Sequence, residues 1–340
     1  MAADKKLRVI IGGASGETGM SIMNALLASP DQFEPIALAR PESVNKDNYQ
    51  DLIRRGASVK PADFQDIDAL VPLLTGADVV ISCLTLLQKE AEEALIDAAY
   101  RAGVGRYVPS FFGPCAPPRG IMPMRDIKEQ FLDRCKRLYL PYTVIDIGWW
   151  YQASLPRLPS GKLDSAISFP ETLIGADGNV NFAGTDVADI GQYVARIIAD
   201  PRTLNKQVFA YSEVTTQNHI WDTMEALTNE TIPRKYLSKE EAEDSLAWMQ
   251  EAIAKDPTNI QVMLKQGLIS YAYSWAIRGD NTPEHAKYLG YLNAKDLYPD
   301  VEAKPINDFI REIVHGTRVA CTYVGRPEHP LNKAKALADN

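Results

Sequence analysis

Gly12, Gly13, Gly16 and Gly19 follow an apolar run at residues 9–11 and precede a stretch with helical apolar spacing. A G-x-x-G-x-x-G pattern such as Gly13, Gly16 and Gly19 turns tightly, brings the backbone up to a pyrophosphate and lets the next helix pack closely on the strand. The N-terminus of that helix offers N–H groups and a positive dipole end to phosphates. Glycine turns are common, but this one follows a strand and opens a helix inside a βαβ unit, the context the motif requires. The reading is a dinucleotide loop with Gly13, Ser15, Gly16, Glu17, Thr18 and Gly19 at the ligand. At the end of the second apolar run, "ALARPES" places Arg40, with Ser43 and Lys46 just beyond. An acid at that point binds the ribose 2′-hydroxyl of NAD, whereas an arginine accommodates the 2′-phosphate of NADP. NADPH/NADP+ is therefore the expected cofactor.

A second chemical residue lies in "MRDIKEQFLDRCKRLYL", where Met124, Phe131, Cys135 and Leu138 form one helical stripe and Lys128 falls on it. Glu129, Asp133, Lys136 and Arg137 fall on the other face. A lysine on the inward stripe loses hydration, which lowers its pKa and suits it to exchange a proton near neutrality. The competing reading is a lysine that snorkels along the core edge or pairs with an acid.

These residues need a scaffold, and the chain spells one out. Short runs rich in valine and isoleucine occur at residues 7–11, 35–39, 57–60, 78–82, 106–109 and 142–146. Helical apolar patterns separate them, as where Ala94, Leu95, Ala98 and Ala99 recur before a stop at Gly103. Alternating strands and helices imply parallel βαβ units, hence an α/β Rossmann fold: a doubly wound parallel sheet with helices on both faces. Residues 1–150 form the expected cofactor-binding domain, and 181–210 return to it through a helical stripe ending at Pro201. Residues 151–180 and 211–315 form a smaller, discontinuous substrate lobe, with long polar helices expected near 239–255 and 282–296. Residues 316–340 read as a loosely held tail.

Composition narrows the function. The 340 residues are 46% hydrophobic and 24% charged, with a formal net charge of -8. That balance lacks the basic footprint of a nucleic-acid or anionic-membrane surface and suits small-molecule work. No apolar run approaches the ~20 residues that span a bilayer, and the short polar lead before the first strand is no secretory segment. Cys83, Cys115, Cys135 and Cys321 are scattered, as are His219, His285, His315 and His329. The expectation is reduced thiols, no metal site, a cytoplasmic location and a monomer or homodimer.

Several stretches, in order, resemble the isoflavone reductase-like group of NmrA-like proteins, an atypical short-chain dehydrogenase/reductase family. Its plant members include phenylcoumaran benzylic ether, pinoresinol-lariciresinol and isoflavone reductases. "VIS" followed by Gln88 resembles the segment after that family's fourth strand, "AGVGRYVPSFFG" its "VPSEFG" stretch and "LPYTVI" its "IPYTYV". "DPRTLNK" (200–206) and "YPDVEAKPINDFI" (298–310) are similar to its closing elements. The Y-x-x-x-K that ordinary short-chain dehydrogenases show near the fifth helix is absent from that region. The resemblance implies a catalytic lysine at Lys128, with hydride passing from NADPH to an electrophilic carbon while Lys128 manages a proton at a substrate oxygen. It also implies Gln88, Ser110, Phe112, Lys128 and Trp150 at the cofactor. Phe111, Trp149 and Tyr151 then face a large, flat, aromatic or polycyclic substrate. Two departures stand out: Phe111 replaces the acid of "VPSEFG", and Cys115 replaces an acid usually found shortly after the glycine. The particular plant reactions are therefore not carried over.

The leading expectation is an NADPH-dependent reductase acting on an activated C=C, a C=O or a benzylic C–O bond of a specialised metabolite. Two others stay open at this level: an NmrA-like redox sensor that binds dinucleotide without turnover, and a cofactor-dependent, redox-neutral rearrangement.

Overall fold

A computed structural model describes residues 5–168 and 172–318. Its first strand, β1 (Leu7–Gly12), is apolar on both sides: Val9 and Ile11 enter one core while Ile10 enters another. The same division runs through β2 (Phe33–Ala39), with Ala37 and Ala39 on one side and Ile36 and Leu38 on the other. Two buried faces demand cover on both, which is the parallel-sheet condition.

The sheet runs in the order β3 (Ser58–Pro61), β2, β1, β4 (Val79–Ser82), β5 (Tyr107–Val108), with every pair parallel. A parallel bridge from Tyr107 to Tyr142 carries it on to β6 (Thr143–Asp146). β6 pairs in parallel with β10 (Lys206–Phe209), and β10 with β13 (Leu292–Asn293). Helices α1 (Glu17–Leu27) and α6 (Val187–Ala199) cover one face. Helices α3 (Ile67–Leu74), α4 (Lys89–Arg101) and α5 (Pro123–Arg137) cover the other, and α2 (Asp47–Arg54) follows β2. The fold is the expected doubly wound one.

α6 packs against α1, and its N-cap Asp186 accepts from the Ala188 N–H. Gly191 lets it cross α1: the Ser21 hydroxyl donates to the Ala188 carbonyl (3.2 Å) and accepts from the Gly191 N–H (3.0 Å).

Beyond the main sheet, β7 (Trp149–Trp150), β9 (Phe182–Thr185) and β11 (Glu213–Thr215) make a second small sheet. β8 (Ile174–Gly175) pairs with β12 (Tyr236–Leu237). Around these, α7 (Gln217–Thr228), a π-helical turn at Tyr273–Arg278 and α12 (Ile306–Val314) enclose a third core containing Trp221, Phe182, Trp275 and Phe309. The polar helix expected at 239–255 is α8 (Lys239–Lys255), started by a Ser238/Glu241 capping box and paired with α9 (Ile260–Ala272).

The helix expected at 282–296 is not one helix. Residues there form α10 (Pro283–Tyr288), β13 and α11 (Ala294–Leu297), because Gly290 takes a left-handed turn (φ +88) and Leu292 pairs with Val208. A segment assigned to the substrate lobe thus supplies a strand of the main sheet. Of the expected tail, residues 319–340, with Cys321 and His329, lie outside the described residues. Among the described residues no helix is long and apolar enough to cross a membrane.

Candidate functional site

Parallel strands in register end together. Gly12 sits opposite both Leu38 and Ser82, and Ile81 opposite Val108, so the loops after β1, β2, β4 and β5 rise from one edge. The chain reverses its direction of winding between β1 and β4, and open α/β sheets bind ligands in the crevice at that point. The sequence-derived site residues fall on these loops, on the first turn of α1, on the segment after β6, or on α5 beside them.

The glycine loop is shaped by what it excludes. Gly13 has φ +78, and a Cβ on it would stand 2.6 Å from the Cys83 carbonyl oxygen, so the loop lies flat on the end of β4. At Gly19 a Cβ would strike the Gly13 carbonyl and the Ala14 backbone, so α1 packs directly on the turn. Gly16, the N-cap, brings no side chain to the first turn of α1 and donates its own N–H to the Gly13 carbonyl (3.1 Å). Close backbone approach at a helix N-terminus is what a pyrophosphate requires, and the loop fits one. Ser15 and Glu17 are half-buried and Thr18 is buried beside it.

Arg40 directly follows β2 and is largely exposed, its Nε 3.3 Å from Glu42, itself exposed. An exposed pair of this kind contributes about 0–1 kcal/mol, so the guanidinium is readily available to a phosphate. Lys46, the N-cap of α2, is exposed, while Ser43 is buried in the turn between them.

Lys128 lies on α5, half-buried, and its Nζ donates to the Phe111 carbonyl oxygen beside Gly113. Burial lowers its ammonium pKa to about 8; Arg125 adds to the fall, while Asp146 and Glu92 favour the charge. Phe131 and Cys135 of the predicted stripe are buried with it. The opposite face departs from expectation: Glu129, placed outward by periodicity, is buried and ion-paired with Arg125 (2.7 Å). Arg125 is itself 2% exposed. Its Nη1 donates to Asp146 Oδ2 and its Nη2 to the Tyr291 hydroxyl, which donates on to Asp146 Oδ2, each at 2.6 Å.

A second buried carboxylate stands at the ends of β4 and β5. Glu92 accepts from the Ser82 hydroxyl, from the Tyr107 hydroxyl (2.9 Å) and from the Ser110 N–H (3.4 Å). Burial pushes its pKa up while these donors pull it back. Gln88, one turn earlier, instead spends its side-chain oxygen on Thr85 in a capping box. Ser110 donates its hydroxyl to the Leu84 carbonyl (2.7 Å), tying the loops after β4 and β5 together.

The aromatics divide. Phe112 and Trp150 pack on the core beneath the glycine-loop face. Trp149 is half-buried and stacks on Trp275, centroids 5.2 Å apart, with Tyr271 at 5.5 Å. Phe111 and Tyr151, expected at the substrate, are both fully buried. The Phe111 ring packs against Leu132 and Val144 with the Arg125 guanidinium 4.7 Å from its centroid, and Tyr151 packs against Phe309. Residues with bulky rings at this strand end satisfy the core first. Glu92, Arg125, Asp146 and Tyr291 escaped the sequence reading; the only local signal was an acid, Asp146, inside an otherwise apolar strand.

A family model described as "NmrA-like family" matches residues 5–267. Asnovolin J 5′,6′-dehydrogenase of Aspergillus novofumigatus is 42% identical to this chain over 323 residues, 93% of this chain and 98% of that protein. A solved structure of AtPrR2 with NADP+ and (+)-pinoresinol is 26% identical, TM-score 0.70, covering 91% of this chain and 99% of that one. Among crystal structures of pinoresinol-lariciresinol and phenylcoumaran benzylic ether reductases, one matches at 26% identity and TM-score 0.72, covering 91% and 100%.

Proposed function

This chain belongs to the NmrA-like family, and on that premise we propose that it is an NADPH-dependent oxidoreductase of an aromatic or polycyclic specialised metabolite. The observation that carries the reading is Lys128: a half-buried lysine with its pKa lowered to about 8, beside Gly113, on the sheet edge that carries the glycine loop. The relatives support it through the substrates and cofactor in their names, a dehydrogenase of asnovolin J and a complex with NADP+ and (+)-pinoresinol.

The loop from Gly13 to Gly19 would hold the pyrophosphate, and Arg40, with Lys46 near it, the 2′-phosphate. NADPH bound there supplies a hydride for the electrophilic carbon. Lys128 stands ready to deliver the balancing proton to the substrate oxygen, or to remove one when the reaction starts from a phenol or runs oxidatively. Its hydrogen bond to the Phe111 carbonyl fixes the amine, with no carboxylate at ion-pair distance among the described residues. Trp149, stacked on Trp275 with Tyr271 tilted against it, offers a flat apolar wall for the substrate.

The test is consumption of NADPH with aromatic enones, quinones, aldehydes and benzylic ethers, and reduction of NADP+ with their saturated counterparts, beside Lys128→Ala. Turnover by the wild-type protein alone supports the reading. Equal turnover by both proteins removes Lys128, and redox-selective binding without turnover by either points to a sensor.

A further inference from the structure

The residues beneath Lys128 are charged, buried and not needed to hold a cofactor. Arg125 precedes Lys128 by three positions on α5 and Glu129 follows Arg125 by four, so all three share one stretch of helix surface. Arg125, Glu129 and Asp146 are at least nine-tenths buried, and a buried ion pair is weak evidence for stability, since apolar replacements often serve as well. The geometry asks for another role. Asp146 closes β6, and its Oδ2 receives both Arg125 and Tyr291, while its buried Oδ1 has no hydrogen-bond partner among the described residues. The guanidinium lies over the same Phe111 ring that Lys128 Nζ approaches to 6.0 Å.

We propose that Arg125 and Asp146 are the positioning pair of Lys128: they bolt α5 to the end of β6 and set, by their opposed charges, how readily Lys128 carries a proton. The value for the reaction rests on the function proposed above; the electrostatic assignment does not. The charges that act on Lys128 are Arg125 on its own helix, Asp146 from β6 and Glu92 from α4, with Glu129, Tyr271 from α9 and Tyr291 next to β13 set around Arg125 and Asp146. Burial pushes the phenols of Tyr271 and Tyr291 up, so both stay neutral. Cys115, in the loop after Gly113, is neutral for the same reason. Glu129 is spoken for by Arg125, and Glu92 by its three donors. Arg125 opposes a second positive charge, while Asp146, and after it Glu92, favour it. Arg125 and Asp146 act in opposite directions on one amine, so neutralising each in turn should move its titration oppositely.

The experiment is a titration of the Lys128 amine by NMR in the full, ligand-free chain, with its resonance assigned by loss in Lys128→Met, in wild type, Arg125→Met and Asp146→Asn. Removing the like charge should raise the midpoint and removing the opposite charge should lower it, each by about a factor of ten in proton affinity. Shifts in the same direction, or no shift in either variant, overturn the assignment. If Arg125→Met does not fold, Asp146→Asn decides alone, because Arg125 keeps Glu129 as a partner: a fall supports the proposal and a rise or no change overturns it. The pH profile of turnover should follow the measured midpoints. Opposed NMR shifts with an unmoved profile would support the pair and overturn the catalytic role of Lys128.

Discussion

The Nζ of Lys128 donates to the main-chain carbonyl of Phe111, so a residue whose side chain has left the site still orients the amine through its backbone. A carboxylate there would stabilise the ammonium. A neutral carbonyl accepts a hydrogen bond without holding the proton as firmly, so burial prevails and the pKa settles near 8.

Lys128→Met should therefore lower kcat by about 10²–10⁴, the usual contribution of a positioned acid or base, while leaving dinucleotide affinity at the wild-type value. It should also be more heat-stable than wild type at pH 7. The folded-state pKa of Lys128 lies below the ordinary value of 10.5, so at neutral pH the native protein carries a desolvated ammonium that the variant lacks. As pH rises through about 8 the folded protein releases that proton, and the advantage should disappear by about pH 10.5. Thermal unfolding of both proteins across this range checks the sign; an advantage that grows with pH contradicts it.

Arg40→Asp should shift cofactor choice. A charge-assisted bond to phosphate contributes about 1.5–3 kcal/mol, so NADPH should bind roughly 10- to 100-fold more weakly, with NADH affected far less. Titration calorimetry with both nucleotides reads this directly, and an unchanged preference removes Arg40 from the 2′-phosphate contact.

Gly19→Val should reduce both folding stability, by about 1–3 kcal/mol, and dinucleotide binding, because the added carbons meet the Gly13 carbonyl and the Ala14 backbone. Gly16→Ala should be milder, since its Cβ finds the nearest atom, the Gly13 oxygen, at 3.4 Å. Denaturant unfolding and nucleotide titration of the two variants should rank them in that order.

The sheet was legible because a strand buried on both faces has to be apolar on both, and β1, β2 and β4 are. Lys128 was legible for the complementary reason, a charge on an apolar stripe. Periodicity failed where a charge is buried by distant partners: Glu129 and Arg125 are helix-surface types whose burial depends on Asp146 and Tyr291, 21 and 166 residues from Arg125. It failed again at β13, where two residues are too few to show alternation. Ring orientation was invisible as well. Phe111 and Tyr151 differ from Trp149 in the core they meet and not in any local pattern.

Trp149 combines partial exposure with a stacked neighbour, Trp275, and a tilted one, Tyr271. If it forms a wall for a flat substrate, Trp149→Leu removes a ring-on-ring contact made in both the bound and the transition state. That loss appears in KM and leaves kcat nearly unchanged. An aromatic pair contributes about 0.5–1.5 kcal/mol beyond its buried area, so KM for an aromatic substrate should rise up to about tenfold. An aliphatic substrate of the same bond class should lose less. Nucleotide affinity should hold its wild-type value, which separates a substrate wall from a residue that merely supports the fold. An equal loss for aromatic and aliphatic substrates would assign Trp149 to packing alone.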